Sequence, residues 1–448
     1  MRLVVHPGNP LRGTVRLPGD KSLSHRAVLL AAMADGDSRI ENFLVSGVTQ
    51  AMLHGLEALD IPYSLEGTSL RVSGRPPASW RTPTHPLDCG NSATTIRLLA
   101  GALAASGVEA VLDGSTGLRA RPMGRIVEPL RAMGATIEAA EGEKAPLTLR
   151  ARPREKKLTG IDWVLPVASA QVKSCLLLAG LAAYGPTTLI EPGPSRDHTE
   201  RMLRNLGIRI EQTILERTGK TPDYRTRFFP PEHLSLPPIN LTLPGDFSSG
   251  AFLITAALIA PGSEVTLEGV GINPTRTGLL DAFRAMGADL EVRQAGEAGG
   301  EPVGCITARY SCLNGAQISG PLVVRMIDEF PAFATAAAFA RGESLVRDAA
   351  ELRTKESDRI EAICNELSRM GSGTEAAPDG FTIRGTGSPL QGARVYPHGD
   401  HRLAMSLAAA GLGARGATVI EGAEILAESF PDFVQVIREL GGEIELDG

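Results

Sequence analysis

Hydrophobic and polar positions along this chain follow two alternating patterns. In the first, runs rich in Ala, Leu and Ile are apolar on nearly every face, which marks helices buried all round. Six such runs begin around Ser22, Asn91, Ser169, Phe247, Asp328 and Asp400, 69 to 81 residues apart, each after a Gly-rich or polar start. In the second pattern an amphipathic helix stops at a glycine and gives way to alternating residues, a capped helix leading into a strand. LRAMGATIEA (130–139) and FRAMGADLEV (283–292) are the clearest copies, and LRNLGIRIEQ, LSRMGSGTEA and IRELGGEIEL are looser ones. Their glycines are Gly134, Gly207, Gly287, Gly371 and Gly441, 70 to 84 residues apart, and Asp60 holds the place in a degraded sixth copy.

Six copies at near-constant spacing predict a repeated unit of one buried helix, one amphipathic helix and several strands. LPGDKS (17–22) and LPGDFS (243–248) match each other, so the repeats group as three and three. The expectation is an α/β protein of two similar domains. One is discontinuous, 1–18 plus 244–448, and the other, 19–243, is inserted into it. The N-terminal strand then pairs within the C-terminal half. The even repeats, and the lack of GxGxxG after a strand, argue against a dinucleotide-binding fold.

Composition narrows the function. The 448 residues are 43% hydrophobic and 21% charged, which is globular. A net charge of -6 weighs against a nucleic-acid surface that works through bulk positive charge. Cys89, Cys175, Cys305, Cys312 and Cys364 are scattered and odd in number, which reads as reduced thiols. The opening MRLVVHPG lacks the apolar core of a secretory signal, and no apolar run approaches the ~18 residues of a membrane span. A cytoplasmic protein with no membrane partner is expected.

Candidate chemistry sits at the starts of the buried helices. Free N–H groups and the positive dipole end make a helix N-terminus attractive to anions. Capping explains Ser, Thr, Asn and Asp there. It does not explain Lys21, Arg26, Arg97, Lys173 and Arg402. PGDKSLSHRA is not a P-loop, because Asp20 stands where glycine must precede the lysine. In LRTKESDRIEAICNEL, Lys355 and Arg359 share a face on a helix, with Glu356 beside it, which is either a solvated, salt-bridged helix start or part of a site. Asp328, in MIDEFPAF, is either a helix cap or a functional carboxylate. No HExxH, GxSxG or His/Cys cluster appears, so no metal is expected.

These segments together resemble the enolpyruvyl transferase family, in particular its branch acting on shikimate 3-phosphate. The resemblance runs the whole length through LPGDKSLSHRA (17–27), CGNSATTIRL (89–98), RARPMGRI (119–126), SAQVKS (169–174), EPGPSRDHTER (191–201), IDEFP (327–331), TKESDRI (354–360) and GDHRLAM (399–405). It implies an inside-out α/β barrel in each domain, three βαβαββ repeats apiece, with the active site in an interdomain cleft. It implies a reaction between two small anionic substrates, phosphoenolpyruvate and shikimate 3-phosphate, by addition and elimination, with no cofactor and in a monomer. Asp328 is the implied base, Glu356 the implied acid, and Lys21 touches both substrates. Shikimate 3-phosphate is expected on Lys21, Ser22, Arg26, Ser169, Ala170 (through its backbone), Gln171, Arg196, Asp328 and Lys355. Phosphoenolpyruvate is expected on Lys21, Asn91, Ala93, Thr94, Arg121, Gln171, Arg359 and Arg402.

Some positions depart from the commoner pattern. Ala93 replaces a glycine and Leu98 a proline, which resembles the glyphosate-tolerant members. Glu428 stands where many members carry a phosphoenolpyruvate-binding lysine, and Ala170 replaces a second serine. A branch of the same fold acts on UDP-N-acetylglucosamine and usually has a reactive Cys in the loop matching residues 112–124, where this chain has none. A non-catalytic repeat scaffold that binds anions would not need Asp328 and Glu356 beside the cations.

Overall fold

The computed structural model describes residues 1–153, 155–217 and 220–447. The repeats read from the sequence appear among them as six four-stranded sheets of one design. In the sheet with Leu87–Asp88 at its edge, that strand runs parallel to Ala110–Asp113. Lys144–Leu149 then adds antiparallel to Ala110–Asp113, and Ile137–Ala140 antiparallel beyond it. One parallel and two antiparallel pairings recur in the other sheets.

The glycines that end the amphipathic helices do what the pattern requires. Gly134, Gly207, Gly287, Gly371 and Gly441 take φ between 85° and 95°, the region where a Cβ is penalised. Asp60 adopts φ 59° at the sixth position, which explains how the degraded copy still turns. Aspartate is among the few residues that tolerate that conformation.

The chain forms two compact units. The first comprises Met1–Pro18, Gly245–Gly296 and Pro302–Gly448; the second comprises Gly19–Pro244 and Glu297–Glu301. Two details differ from the expected boundaries. Pro244 belongs with the second unit, its carbonyl accepting from the Asp20 N–H at 2.9 Å. So does the segment Glu297–Glu301, because Glu301 meets His198 at 2.8 Å and the Gly300 carbonyl accepts from Arg201 at 3.2 Å.

In the first unit the N-terminal strand Arg2–His6 lies between Thr418–Glu421 and Glu443–Asp447, antiparallel to both. Arg12–Arg16 pairs in parallel with the start of Glu264–Gly271. The unit's buried helices are Phe247–Ile259, Phe330–Phe339 and His401–Gly413. They meet closely: a Cβ on Gly413 would lie 3.0 Å from Phe339 and 3.1 Å from Ile259. The Thr335 and Ser406 hydroxyls bridge two of them at 2.7 Å.

In the second unit the last strand, Asn240–Thr242, closes the set by pairing in parallel with Gly36–Glu41. Its buried helices are Lys21–Met33, Ala93–Ser106 and Ala170–Gly180. Gly101 is where two of them touch, since a Cβ there would sit 2.2 Å from the Cys175 carbonyl oxygen. Each unit therefore has its own hydrophobic core, built around three helices that show no polar face. No described helix is long and apolar enough to cross a membrane.

Candidate active site

The starts of the buried helices carry most of the residues singled out in the sequence. In the second unit, Asp20 caps Lys21–Met33 by accepting from the Leu23 N–H at 2.9 Å. Lys21 and Ser22 are half-buried in its first turn, and Arg26 is 3% exposed one turn on. Arg26 donates to the Thr199 hydroxyl at 2.8 Å, the Ser174 hydroxyl at 2.8 Å and the Ser22 carbonyl at 2.9 Å. Burial brings its guanidinium down to about 10. It remains charged at neutral pH.

Ser92 caps the helix Ala93–Ser106, accepting from the Thr95 N–H at 3.1 Å. Ala93 is its buried first residue, and exposed Asn91 accepts from Ser115 at 3.1 Å. Ser169 caps Ala170–Gly180. Gln171 in that helix donates to Thr94 at 2.9 Å and accepts from Arg97 at 2.5 Å, which joins the two helix starts. Arg121 is half-buried just after the short helix Thr116–Arg119, and Arg196 is half-buried before the helix His198–Asn205.

Two of the basic residues have internal work. Arg97 is tied to Gln171 and to the Pro122 carbonyl at 3.1 Å. Lys173 is 1% exposed and meets both Glu191 and Glu200 at 2.8 Å. Burial alone lowers its basicity, but the two carboxylates more than reverse that.

In the first unit, Asp328, Glu356, Arg359 and Arg402 come together with Asp400. Arg359 is 1% exposed; it donates to Asp400 at 2.7 Å and to Glu356 at 2.8 Å, and its Nη1 faces Asp328 at 3.6 Å. That Nη1 is enclosed and makes no hydrogen bond. Burial works against the Arg359 charge, yet Asp400, Glu356 and Asp328 hold the group more basic than usual. Asp400 also caps the helix His401–Gly413 by accepting from the Arg402 N–H at 2.9 Å. Arg402 lies 3.7 Å from the Asp328 carboxylate. Lys355 does not share a helix face with Arg359 as the spacing led us to expect. The helix begins only at Arg359, capped by Asp358, and half-buried Lys355 ends the turn Ala350–Thr354, its basicity lowered by burial and partly restored by Asp328.

The remaining helix start differs from what the repeat led us to expect. At Phe247–Ile259 the first turn is occupied internally: buried Arg276 meets Asp246 at 2.6 Å and Ser248 at 2.9 Å, and the Ser248 hydroxyl donates to Glu329. None of the expected site residues lies there. Asp400 was read from the sequence only as a helix start, and Glu191, Glu200 and Arg276 were not singled out at all. Only Asp400 had a signal, as the residue before His401-Arg402 in GDHRLAM. The others reach partners at least 18 residues away, where no local spacing reveals them.

One unit thus groups three carboxylates with two arginines, and the other carries cationic helix starts. The sequence model described as EPSP synthase (3-phosphoshikimate 1-carboxyvinyltransferase) matches residues 5–437.

The chain belongs to the EPSP synthase family.

Curated relatives agree over nearly the whole length. The 3-phosphoshikimate 1-carboxyvinyltransferase of Herpetosiphon aurantiacus is 46% identical over 437 residues, covering 97% of this chain and 98% of the relative. That of a Roseiflexus species is 48% identical over 439 residues, with the same coverage. Among solved structures, the EPSP synthase from Acinetobacter baumannii superposes with a TM-score of 0.85 at 39% identity and covers all of both chains. The enolpyruvyl transferase NikO from Streptomyces tendae has a TM-score of 0.74 at 21% identity, covering 99% of this chain and 98% of its own, and shares the fold. The two-domain inside-out α/β barrel of the EPSP synthase family is thus the fold of this chain.

Proposed function

We propose that this chain transfers the enolpyruvyl group of phosphoenolpyruvate to the 5-hydroxyl of shikimate 3-phosphate and releases phosphate. In the addition, the hydroxyl oxygen bonds to C2 of phosphoenolpyruvate while the methylene carbon takes a proton, giving a tetrahedral ketal phosphate. In the elimination the C–O bond to phosphate breaks and the methyl group gives a proton back. No electron leaves or enters, so no redox cofactor is required.

The observation that carries this reading is the grouping of Asp328 and Glu356 around Arg359, at 3.6 and 2.8 Å. The two steps need a base for the hydroxyl and an acid for the methylene carbon, roles that two neighbouring carboxyl groups can divide. Asp328 takes the hydroxyl proton. Glu356, held by Arg359 at 2.8 Å, serves the methylene carbon, giving it a proton in the addition and taking one back from the methyl group in the elimination. Arg359, through its enclosed Nη1, and Arg402 bind phosphoenolpyruvate. Lys21, Arg121, Gln171 and the Asn91, Ala93 and Thr94 turn complete that set. Ser22, Arg26, Ser169, the Ala170 backbone, Gln171, Arg196 and Lys355 hold shikimate 3-phosphate, with Lys21 and Asp328 meeting both the substrate and the chemistry. Fixed cations aimed at developing negative charge supply the stabilisation.

The enzyme acts in the cytoplasm as a monomer, and it tolerates glyphosate. Tolerance rests on Ala93: its methyl group, on the first residue of a helix assigned to phosphoenolpyruvate, crowds an inhibitor longer than the substrate. The functional reading is tested by measuring phosphate release from phosphoenolpyruvate with shikimate 3-phosphate and, separately, with UDP-N-acetylglucosamine. Release with the first acceptor alone supports it. Release with the second alone assigns the sister reaction, and release with neither leaves an anion-binding scaffold.

A further inference from the structure

The residue left unused by this mechanism is Lys173, a lysine enclosed in the second unit whose type and place in a first turn were conspicuous in the sequence. Its surroundings form a short ladder between two helices. Lys173 and Ser174 are neighbours on Ala170–Gly180; Thr199 and Glu200 are neighbours on His198–Asn205. Lys173 meets Glu200 at 2.8 Å, and Ser174 meets Thr199 at 2.6 Å. Arg26 sits on the second rung, bonded to both hydroxyls.

The charges are divided unevenly across this ladder. Lys173 takes Glu200 and also Glu191 at 2.8 Å, with the Ser195 carbonyl at 3.4 Å. Glu191, Glu200 and Lys173 are each no more than 3% exposed. The hydrogen bonds described for Arg26, by contrast, go to two hydroxyls and a carbonyl, all neutral. Its charge is felt by Glu200 and Asp20, and it repels Arg196 nearby. A carboxylate cancels much of a buried guanidinium's field, so such an arginine can serve an anion only through a donor left open, as Nη1 of Arg359 is; one bonded to neutral oxygens keeps its field. Glu200 is one residue from the Thr199 hydroxyl that Arg26 already holds, so it is the natural competitor for that guanidinium.

We propose that Lys173 is a positioning residue: anchored by Glu191, it engages Glu200 and withholds that carboxylate from Arg26, which stays available to the anionic substrate. The same bonds fix the Ser195–Arg196 turn against the start of Ala170–Gly180. The inference rests on the reading of Arg26 as a shikimate 3-phosphate ligand. Lys173 itself touches no substrate.

The test is calorimetric binding of shikimate 3-phosphate, with steady-state kinetics, for wild type, Lys173→Met, Glu200→Gln and the double variant. Lys173→Met is expected to weaken shikimate 3-phosphate binding roughly tenfold or more while the KM for phosphoenolpyruvate moves less than about twofold. Removing the competing carboxylate as well should restore binding to within about threefold of wild type, a coupling that loss of packing does not produce. Wild-type affinity in Lys173→Met, or a double variant as weak as the single, overturns the inference. Should Lys173→Met fail to fold, Glu200→Gln decides: binding as tight as wild type or tighter supports the inference, and a tenfold loss overturns it. Wild-type protein that neither binds nor turns over shikimate 3-phosphate overturns the functional reading, and this inference with it.

Discussion

Arg359 and Asp400 form a fully enclosed ion pair, Nε donating to Oδ2 at 2.7 Å, and the same carboxylate caps the helix that carries Arg402. One aspartate thus orients two arginines assigned to phosphoenolpyruvate. Asp400→Asn leaves Arg359 without its closest carboxylate, and breaking a buried pair typically costs about 3–5 kcal/mol. Urea unfolding should show a loss of that order, and the KM for phosphoenolpyruvate should rise. Burial pushes the Asp400 carboxyl up, but Arg359 brings it below its ordinary value. Its stabilising contribution is therefore present above the unfolded value of about 4 and disappears as pH falls through the lower folded one. The variant should lack that acid-dependent part of the stability profile; an unaltered profile would refute the linkage.

Asp328→Ala and Glu356→Ala separate chemistry from binding. Loss of a proton-transfer group should lower kcat by about 10²–10⁴-fold. The KM values for both substrates should move far less. Steady-state kinetics with each substrate varied reads the split directly. Full turnover in either variant removes that residue from its assigned role.

Ala93→Gly addresses the inhibitor. Removing one methyl group from the first helical residue should leave the KM for phosphoenolpyruvate nearly unchanged. The glyphosate inhibition constant should fall by at least the roughly tenfold that a methylene-sized contact is worth. Unchanged inhibition would mean that tolerance has another source.

His25 makes a prediction about acid. It is enclosed beside Lys21 and Arg26, and burial, with their charges adding to it, lowers it to about 4. Its ring nitrogens lie 2.8 Å from the Lys21 carbonyl and 3.1 Å from that of Val48. The unfolded chain binds the proton at about 6.5, so between that pH and 4 the unfolded state holds more protons. Stability is complete above about pH 6.5 and decreases as pH falls toward 4, by about 3 kcal/mol from this residue. NMR of the ring protons should show titration near 4. Titration near 6.5 would contradict the assignment.

The architecture was legible because it is repeated. Six glycine or aspartate turns at regular spacing, and six helices apolar all round, announce themselves in one dimension. Lys21, Asp328, Glu356 and Arg402, the residues proposed for the site, stand out as well, since each lies in a local motif. What stayed hidden was the fate of the other charges. Lys173 and Arg97 look like free cations in the sequence, yet their partners sit on other elements, at Glu191, Glu200 and Gln171. The start of Phe247–Ile259 shares its sequence with the start of Lys21–Met33, but Arg276, thirty residues from Asp246, occupies it. Pattern shows where a charge is placed along a helix. Only packing shows whether that charge is already spent.

The strand Arg2–His6 is held between Thr418–Glu421 and Glu443–Asp447. It is translated before the inserted unit, and its two neighbours after it. Translation proceeds at about 5–20 residues per second, so the strand waits many seconds for a partner. Meanwhile the inserted unit acquires all its strands by Asn240–Thr242. The order of synthesis thus gives the inserted unit a head start, and the sheet around Arg2–His6 is filled only when Glu443–Asp447 arrives.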